Sequence, residues 1–562
     1  MIRGFWRRLS GKHLLALLNI VAALAINFEG LAQGPLKLHS HSSLPSFFLL
    51  TYIWVGVMGS VNVSPEYIER MQLGSNGVVH DPTRQGGIVC IYYLGALFGG
   101  FWAGHVADKY GRIKGILAGC FWCIIGAALQ SAAQNLNMML CARVITGVGV
   151  GYLMCIVPAW SAEIAAAHSR GKFITITFLA NFIGITTASW LGYGISHSDI
   201  GGGQFRWRFV LAFQMLPCFP LALGVLLLPE SPRWLIKMGR KEEALEIIAK
   251  LRGNDNPDHP VARAEFDEIV TMVELENKDQ NISYWRMFLG TDSGDIHLAR
   301  RIQLSFWLQV MMQYGTGIAA VVIYSATIFR TAGFDDDKSN WLSALCNTVG
   351  IFGTAVAAFT LDKVGRRRTL FWGAVVLAII HFAIGGLSRA AINQPQNAAA
   401  LGTGAAACVF IYLFFFSSTW LMIPFIYPTE IFPTHLRAKG NAFGVAGWAV
   451  GFGGGSLLVP IMFAGIGEKT FYVFGAAMFA WIPVIYVFFP ETAKRSLESV
   501  DMLFASKSPF TWDEEKEYAR RVEELRIRMA ERGEKPLGGR DVEGLGKMSV
   551  VHEENVSEAS SK

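Results

Sequence analysis

The sequence predicts an all-α membrane protein in which about twelve helices cross a bilayer as two sets of six. Three observations support this prediction. Of the 562 residues, 52% are hydrophobic and 16% are charged, whereas charged residues make up roughly a quarter of soluble domains. Apolar runs of membrane-spanning length recur along the chain, and basic residues are concentrated in alternate loops. A soluble chain of this size would lack the polar residues needed to cover its cores.

Each predicted span is an apolar run of about 20 residues, the length that an α-helix needs to cross the hydrocarbon layer. The first six runs lie near 14–33, 86–107, 115–133, 138–160, 173–193 and 209–228. The second six lie near 302–329, 341–361, 370–388, 404–427, 442–466 and 471–489. The predicted domains are an N-terminal six-helix bundle over 1–229, a helical linker over 230–300, a C-terminal six-helix bundle over 301–490 and a tail over 491–562.

The loop charges predict how the chain is oriented in the membrane. The loops after the second, fourth, eighth and tenth runs are rich in Lys and Arg, among them Lys109, Lys114, Lys172 and Lys363. The opposite loops are poorer in basic residues. Because basic loops stay on the cytoplasmic side, we predict that the linker and both termini are cytoplasmic.

Two polar segments outside the bundles have helical periodicity. In 241–253, the apolar residues recur at helical spacing, which predicts a short amphipathic helix under the membrane domain. In the tail, Tyr518, Val522, Leu525 and Met529 form one stripe. We favour a solvent-exposed helix on a largely disordered tail, and a partner-binding helix is the alternative.

One loop pattern, D-K-x-G-R, occurs at equivalent places in the two sets of helices. Asp108–Arg112 follows the second run and Asp362–Arg366 follows the eighth. The glycine permits a tight turn at the membrane surface, and the arginine can pair with a carboxylate on a neighbouring helix. An ordinary basic loop is the alternative, but recurrence in register with the six-helix sets argues against it.

These residues resemble the major facilitator superfamily, and within it the sugar porter family of the fungal type. The further matches are Arg143–Gly147, Pro158–Glu163 with Arg170 and Gly171, Pro229–Leu235, Pro428–Glu430 with Arg437, and Pro490–Thr492. The resemblance covers roughly residues 12–505 and implies two bundles that rock about a solute site near the bilayer midplane. It implies a secondary transporter that moves a sugar, polyol or related small polar solute by alternating access. No enzymatic activity, cofactor, metal or nucleic-acid partner is expected, and the expected form is a monomer in the plasma membrane.

The resemblance also implies a network of cytoplasmic ion pairs that latch the outward-open state. Its central pairs would be Glu163 with Arg112, and Glu430 with Arg366 or Arg367. The other implied members of the network are Asp108, Arg170, Glu230, Asp362, Arg437 and Glu491. Pairs of this kind can form in one conformation and separate in the other, as a two-state gate requires.

The solute cleft departs from the family pattern. Family members usually place amides there, because an amide can both donate to and accept from sugar hydroxyls. In helix seven this chain keeps one glutamine of Q-Q-x-x-G-x-N but has Ala319 in place of the asparagine. Gly447 and Gly451 stand where asparagines are expected, so we predict a less polar, more aromatic cleft that leaves polyols, glycosides and less polar solutes open. The candidate solute-binding residues are Gln313, Tyr314, Thr316, Asn181, Phe178, Asn347, Trp420 and Phe425.

Proton coupling would require a titratable group inside the membrane. Proton-linked relatives carry an aspartate in helix one, and that position is Ala32 here. Glu29 lies one turn earlier, and the helix-four arginine is kept as Arg143. We predict that Glu29, paired with Arg143, carries the coupling ion H⁺. The alternatives are a Glu29 that lies at a helix end or in a static ion pair of an uncoupled facilitator, and a non-transporting nutrient sensor, which would usually have a longer tail.

Residues 35–55 interrupt the predicted first span. The family runs F-E-G-x-x-Q-G-V-M-G without a break, whereas here Phe28–Gly34 and Gly56–Gly59 are far apart. We interpret the stretch as a translated intron, with a genuine extracellular insertion as the alternative. Asn62, in the sequence Asn-Val-Ser, is a candidate for glycosylation on the predicted outer side.

Overall fold

The fold is known from a computed structural model, which describes residues 58–531 with short gaps. The gaps are 76, 165–169, 198–201, 253–255, 279–283, 290–296, 433–436, 494, 496–499, 501, 505 and 507. The predicted first span, Glu29 and the 35–55 stretch lie outside the described residues. The translated intron therefore remains a prediction.

The N-terminal half of the described chain is a series of long helices after one short helix and a hairpin. These elements are α1 (Pro65–Arg70), β1 (Gly74–Ser75), β2 (Val78–Val79), α2 (Pro82–Tyr110), α3 (Arg112–Ser131), α4 (Leu136–Ile164), α5 (Arg170–Ser196), α6 (Gly202–Phe213) and α7 (Cys218–Leu226). The two strands pair antiparallel, with Gly74 opposite Val79. Helix α2 starts at Pro82, where proline is favoured because no helical partner is needed for its nitrogen, and the Asp81 carboxylate accepts from the Arg84 amide at 2.9 Å.

Four helices lie in the described part of the linker. They are α8 (Pro232–Lys237), α9 (Lys241–Arg252), α10 (Pro260–Lys278) and α11 (Tyr284–Leu289). Helix α9 confirms the predicted amphipathic helix, because Ala244 and Ile248 are buried while Glu242 and Glu243 are exposed or half-buried.

The C-terminal half is a second series of long helices. Its elements are α12 (Leu298–Val310), a π-helical turn (Met311–Gly315), α13 (Ile318–Thr331), α14 (Asp336–Val364), α15 (Arg366–Asn393), a 3₁₀ turn (Pro395–Asn397), α16 (Ala398–Thr419), α17 (Ile423–Ile431), α18 (Arg437–Ile466), a 3₁₀ turn (Gly467–Lys469), α19 (Thr470–Phe488) and the tail helix α20 (Thr511–Glu531). Helices α12 and α13 form one crossing with a break between them, and α16 and α17 form another.

Nine segments of the described chain are long and apolar enough to cross a membrane, and the longest of them, Gly440–Phe488, runs through both α18 and α19. Large apolar side chains such as Trp102, Phe359 and Phe479 are exposed on these helices, as is usual where lipid covers the surface. The predicted all-α, multi-pass membrane fold is confirmed. Asn62 is buried, which leaves no room for a glycan in this structure.

Two antiparallel seams join the halves. Along the first, α2 packs on α18, with Gly86 against Leu457 and Gly100 against Val445. Along the second, α5 packs on α14: the Asn347 amide donates to Ser189 Oγ at 2.9 Å, and Gly350, later in α14, lies against the ring of Phe182, earlier in α5. The end of α2 therefore lies beside the start of α18, and the start of α5 beside the end of α14.

Both D-K-x-G-R turns consequently lie at the same end of the molecule, which we call the turn face. It is defined by Gly111, between α2 and α3, and Gly365, between α14 and α15. The opposite end is called the far face. Two turns on opposite sides of the membrane would have contradicted the predicted pair of equivalent bundles.

The tail differs from the prediction at its start. Helix α20 is docked on the turn face by its first turn, where Glu514 is fully buried and its Oε1 lies 2.7 Å from Arg300 Nε. The Arg495 guanidinium lies 2.6 Å from Glu515 and over the ring of Tyr518. The predicted helix is present, but its first turn is packed against the turn face and is not solvent-exposed. The predicted disorder of 532–562 remains a prediction.

Candidate functional site

The N-terminal turn is held by two carboxylates. Gly111 has φ 102° and ψ 161°, a conformation essentially restricted to glycine. Glu230 accepts from the backbone amide of Arg112 at 2.6 Å and from that of Ile113 at 3.3 Å, so it caps the positive end of α3. The Arg112 side chain binds both oxygens of Glu163, at 3.0 and 3.1 Å.

The C-terminal turn repeats this geometry. Gly365 has φ 100° and ψ 160°. Glu491 accepts from the amides of Arg366 at 2.7 Å and Arg367 at 3.1 Å. The Arg366 guanidinium lies 2.8 Å from Glu430.

The structure separates the roles that the sequence left open. Arg366, and not Arg367, pairs with Glu430, because the Arg367 side chain donates to the carbonyl of Tyr486 at 2.5 Å. Glu230 and Glu491 cap helix ends through backbone amides, and Asp108 pairs with Arg112 at 2.9 Å. Asp362, Arg170 and Arg437 lie in α14, α5 and α18, and their side chains lie outside the described part of the structure.

Burial raises the pKa of the Glu230 carboxyl, although the amides of Arg112, Ile113 and Ser231 donate to it and lower the pKa in turn. Burial therefore favours the neutral carboxyl, whereas the amide donors favour the charged carboxylate. Its charged form depends on those donors staying in place.

Arg143 is fully buried on α4. Its Nε donates to the carbonyl of Ile88 at 3.2 Å, and its guanidinium lies 4.9 Å from the centre of the Tyr92 ring. Tyr67, Tyr93 and Tyr324 lie around the same group. Nη1 of Arg143 has no hydrogen-bond partner within the described residues, and its predicted partner Glu29 lies outside them.

Four buried amide side chains lie inside the helix bundles, and in each the oxygen lacks a partner within the described residues. Asn181 lies on α5 and Asn347 on α14, where its nitrogen bonds Ser189. Gln313 lies in the π-helical turn of helix seven. Gln309, one turn before it, donates to the carbonyl of Pro424 at 3.0 Å. Sequence reasoning missed Gln309, although residues four apart share one helix face.

Aromatic rings accompany these amides. Phe178 on α5 and Phe425 on α17 meet across the bundle interface with ring centres 4.8 Å apart. Tyr93 on α2 stacks on Phe452 of α18 at 4.9 Å and meets Trp448 edge-on at 5.3 Å. The tyrosine and its two partners were not predicted, because nothing in the sequence shows which face of α2 meets α18.

Three other predicted solute-binding residues differ in how deeply they are buried. Tyr314 is half-buried in the π-helical turn, whereas the hydroxyl of Thr316 donates back to the carbonyl of Met312 at 2.5 Å. Trp420 is fully buried against Gly373 of α15, within the C-terminal bundle.

Gly447 and Gly451 have a packing role that the sequence did not predict. A Cβ at Gly451 would lie 3.0 Å from Gln313 Cβ and 3.0 Å from Val310 Cα, and a Cβ at Gly447 would lie 3.1 Å from Gln309 Cβ. These glycines therefore let α18 approach the helix that carries both glutamines.

A cleft of about 170 Å³ opens toward the far face between the bundles. Its lining includes Ser60, Tyr193, Arg206, Arg330 and Asn340. Ser189 also lines this cleft, and its bond to Asn347 links the cleft to the amide-lined interior. Near the rim, His197 Nε2 lies 2.6 Å from Asp337 of the other bundle.

Comparisons with known proteins agree with this architecture. The family model described as "Sugar (and other) transporter" matches residues 45–504. The MFS-type transporter criB of Aspergillus cristatus is 31% identical over 420 residues, which are 75% of this chain and 84% of that one. The high-affinity glucose transporter 1 of Candida albicans is 28% identical over 440 residues, 76% and 79% of the two chains. The quinate permease of Neurospora terricola is 31% identical over 443 residues, 75% and 80%.

Among solved structures, the proton:xylose symporter XylE bound to 6-bromo-6-deoxy-D-glucose has the same fold. The TM-score is 0.68 at 22% identity, with 88% of this chain and 99% of that chain covered. The family match, together with the two series of long apolar helices and their repeated charged turns, defines a membrane transporter of the major facilitator superfamily. The chain belongs to the sugar transporter family of that superfamily.

Proposed function

We propose that this protein carries a small, ring-shaped, polyhydroxylated solute through the interior lined by Asn181, Asn347, Gln309 and Gln313. The observation that carries the proposal is their four buried amide oxygens without partners. An unsatisfied buried acceptor costs roughly 1–3 kcal/mol, and solute hydroxyls are suited to satisfy it. The relatives named for glucose and quinate support a solute of this class.

The aromatic pairs favour a solute with an apolar ring face. Phe178 with Phe425, and Tyr93 with Phe452, come from opposite bundles. Each pair is in direct contact here, and its ring faces become free to stack on a solute ring when the bundles separate. We therefore favour cyclic solutes over open-chain polyols.

The test is uptake of labelled D-glucose, D-xylose, sorbitol and quinate by a transporter-null yeast strain that expresses the protein. Gln313→Leu should raise KM roughly tenfold, the effect of about one hydrogen bond. Gln130→Leu is the matched control, because that amide is also buried with an unpaired oxygen but lies on α3, where its nitrogen donates to Thr146 of α4 within the N-terminal bundle. Uptake of none of the four solutes, or an equal effect of both variants, would contradict the proposal.

We further propose that a proton moves with the solute and is carried by Glu29, which pairs with Arg143. The support is the buried guanidinium, whose Nη1 has no partner among the described residues. Such a charge is strongly destabilising unless a carboxylate neutralises it. Uphill uptake that follows an imposed pH gradient and disappears in Glu29→Gln is expected. An uncoupled facilitator would instead equilibrate the solute at any gradient.

We also propose that the turn face is cytoplasmic and that the protein works in the plasma membrane with both termini inside. Lys109, Lys114 and Lys363 lie at or beside the two turns, in agreement with the charge rule for inner loops. Antibody access to a C-terminal tag only after permeabilisation is expected, and access on intact cells would contradict the orientation.

A further inference from the structure

Helix seven is interrupted where it carries Gln313. Helix α12 ends at Val310, the chain makes a π-helical turn over Met311–Gly315, and Gly317 adopts φ 69° before α13 begins. A π-helical turn inserts an extra residue, and each residue in a helix turns by about 100°. The break therefore decides which way Gln313 faces relative to α13.

One carbonyl group at the break is bonded by side chains of two other helices. The oxygen of Thr316 accepts from Tyr412 Oη at 2.6 Å and lies 2.8 Å from His381 Nε2. Because a carbonyl oxygen only accepts, Nε2 of His381 must carry the proton. Both lone pairs of the freed carbonyl are thus used.

The surroundings leave this arrangement little freedom. His381, Tyr412 and Thr316 are each at most 1% exposed. The His381 ring lies 4.8 Å from the ring of Tyr412 and 5.7 Å from that of Phe474. Phe474 also fills the space beside Gly317, where a Cβ would lie 2.7 Å from the ring.

We propose that His381 and Tyr412 are positioning residues for solute binding: they hold the break in helix seven by donating to the same carbonyl and so aim Gln313 at the solute. His381 on α15 and Tyr412 on α16 come from helices behind helix seven. Neither has to touch the solute. Their loss would let the turn relax toward regular helix and rotate Gln313 away.

The first experiment measures the break without any solute. Hydrogen–deuterium exchange of the purified full-length protein is followed in peptides that cover 311–320. Tyr412→Phe removes only the hydroxyl and should speed exchange there roughly tenfold, as expected for the loss of one hydrogen bond. Tyr427→Phe is the matched control, since Tyr427 is equally buried and donates to the carbonyl of Pro490 at 3.2 Å on the turn face.

The second experiment uses uptake of labelled D-glucose and quinate, and it alone rests on the proposed function. Tyr412→Phe and His381→Phe should raise KM roughly tenfold with an unchanged maximal rate per folded transporter, and their effects should not add because they share one acceptor. His381→Gln, whose amide nitrogen can replace Nε2, should restore KM. If His381→Phe fails to fold, Tyr412→Phe and His381→Gln still test whether the two side chains position Gln313.

Unchanged exchange in Tyr412→Phe would overturn the proposal, whatever the uptake results. Faster exchange with an unchanged KM would also overturn it, because the break would then not aim Gln313. Uptake of neither probe by the unmodified protein would count against the proposed function, while the exchange experiment would still decide whether the two side chains hold the break.

Discussion

The two D-K-x-G-R turns are built alike, yet different parts of the chain hold them. At the N-terminal turn, Trp234 of the linker helix α8 donates to the carbonyl of Asp108 at 2.9 Å. At the C-terminal turn, Thr492 donates to Glu430 at 2.6 Å, and Arg367 reaches the end of α19. Each turn has a glycine, a capping carboxylate and an arginine–glutamate pair, but the additional hydrogen bonds at each turn come from different segments of the chain.

The comparison separates two functions of the motif. The glycine and its capping carboxylate shape the backbone in the same way in both halves, to within 2° in φ and 1° in ψ. The surrounding contacts connect one turn to the linker and the other to the tail. The motif therefore sets the backbone geometry of the turn, whereas the neighbouring segments determine which part of the chain each turn is connected to.

The largest effect is expected when the glycines are changed. Gly111→Ala and Gly365→Ala force a side chain into a conformation that only glycine adopts, at about 3 kcal/mol, and a Cβ would approach the capping carboxylate oxygens to 2.9 and 2.6 Å. Thermal unfolding in detergent should show similar large losses for both. The control is Gly239→Ala, which also has a positive φ but has no atom near the new Cβ. Equal losses for all three variants would mean that the carboxylate contact is unimportant.

The ion pairs should come next. Glu163→Gln and Glu430→Gln weaken mostly buried pairs, with an expected effect of roughly 1–4 kcal/mol. We expect the turn face to open more often in both variants. Maleimide labelling of Cys155, which lies on α4 beside residues of α2 and α18, should accelerate and can be read by peptide mass spectrometry.

The control for labelling is the exposed Cys141, whose rate should stay the same. If Glu163→Gln accelerates labelling and Glu430→Gln does not, the two turns are unequal as gates despite their matching geometry.

A smaller effect should distinguish the additional hydrogen bonds made by Trp234 and Thr492 at the two turns. Trp234→Phe removes one hydrogen bond at the N-terminal turn, and Thr492→Val removes one at the C-terminal turn, each at about 1 kcal/mol. In double-mutant cycles, Thr492→Val should couple to Glu430→Gln and not to Glu163→Gln. A coupling free energy between either variant and the ion pair of the opposite turn would show that the two turns are energetically linked.

The smallest effect concerns pH and the tail. Burial raises the pKa of Glu514 from 4.5 to about 7, although Arg300 opposes the shift. Docked α20 therefore binds more protons than free α20, so docking is strongest below about pH 4.5 and weakens as pH rises through about 7. Exchange rates of α20 amides should rise between pH 5.5 and 8, after correction for intrinsic chemistry.

Glu514→Gln should remove this dependence and keep the helix docked. Glu517→Gln is the control, because its pKa is lowered to about 2 by Arg520 and Arg521 and it does not titrate in that interval. A pH dependence that persists in Glu514→Gln would assign the effect to another group.

Much of the fold could be predicted from the sequence because each observation was local. Span lengths, the repeated turn and the helix α9 all follow from short-range periodicity and composition. Contacts between distant segments could not be predicted in this way. Arg366 was not distinguishable from Arg367 as the partner of Glu430, and the docking of Glu514 on Arg300 joins residues 214 positions apart.

The candidate site shows the same division. The sequence by itself determined a two-bundle membrane protein with matching turns and named Gln313, Asn181 and Asn347, because these follow from hydropathy and motif. Only the tertiary structure decided that Gln309 joins them and that His381 and Tyr412 hold the break. The reason is physical: a carbonyl freed by a helix break takes its partners from whichever helices pack behind it, and that packing is not written in the spacing of residues along the chain.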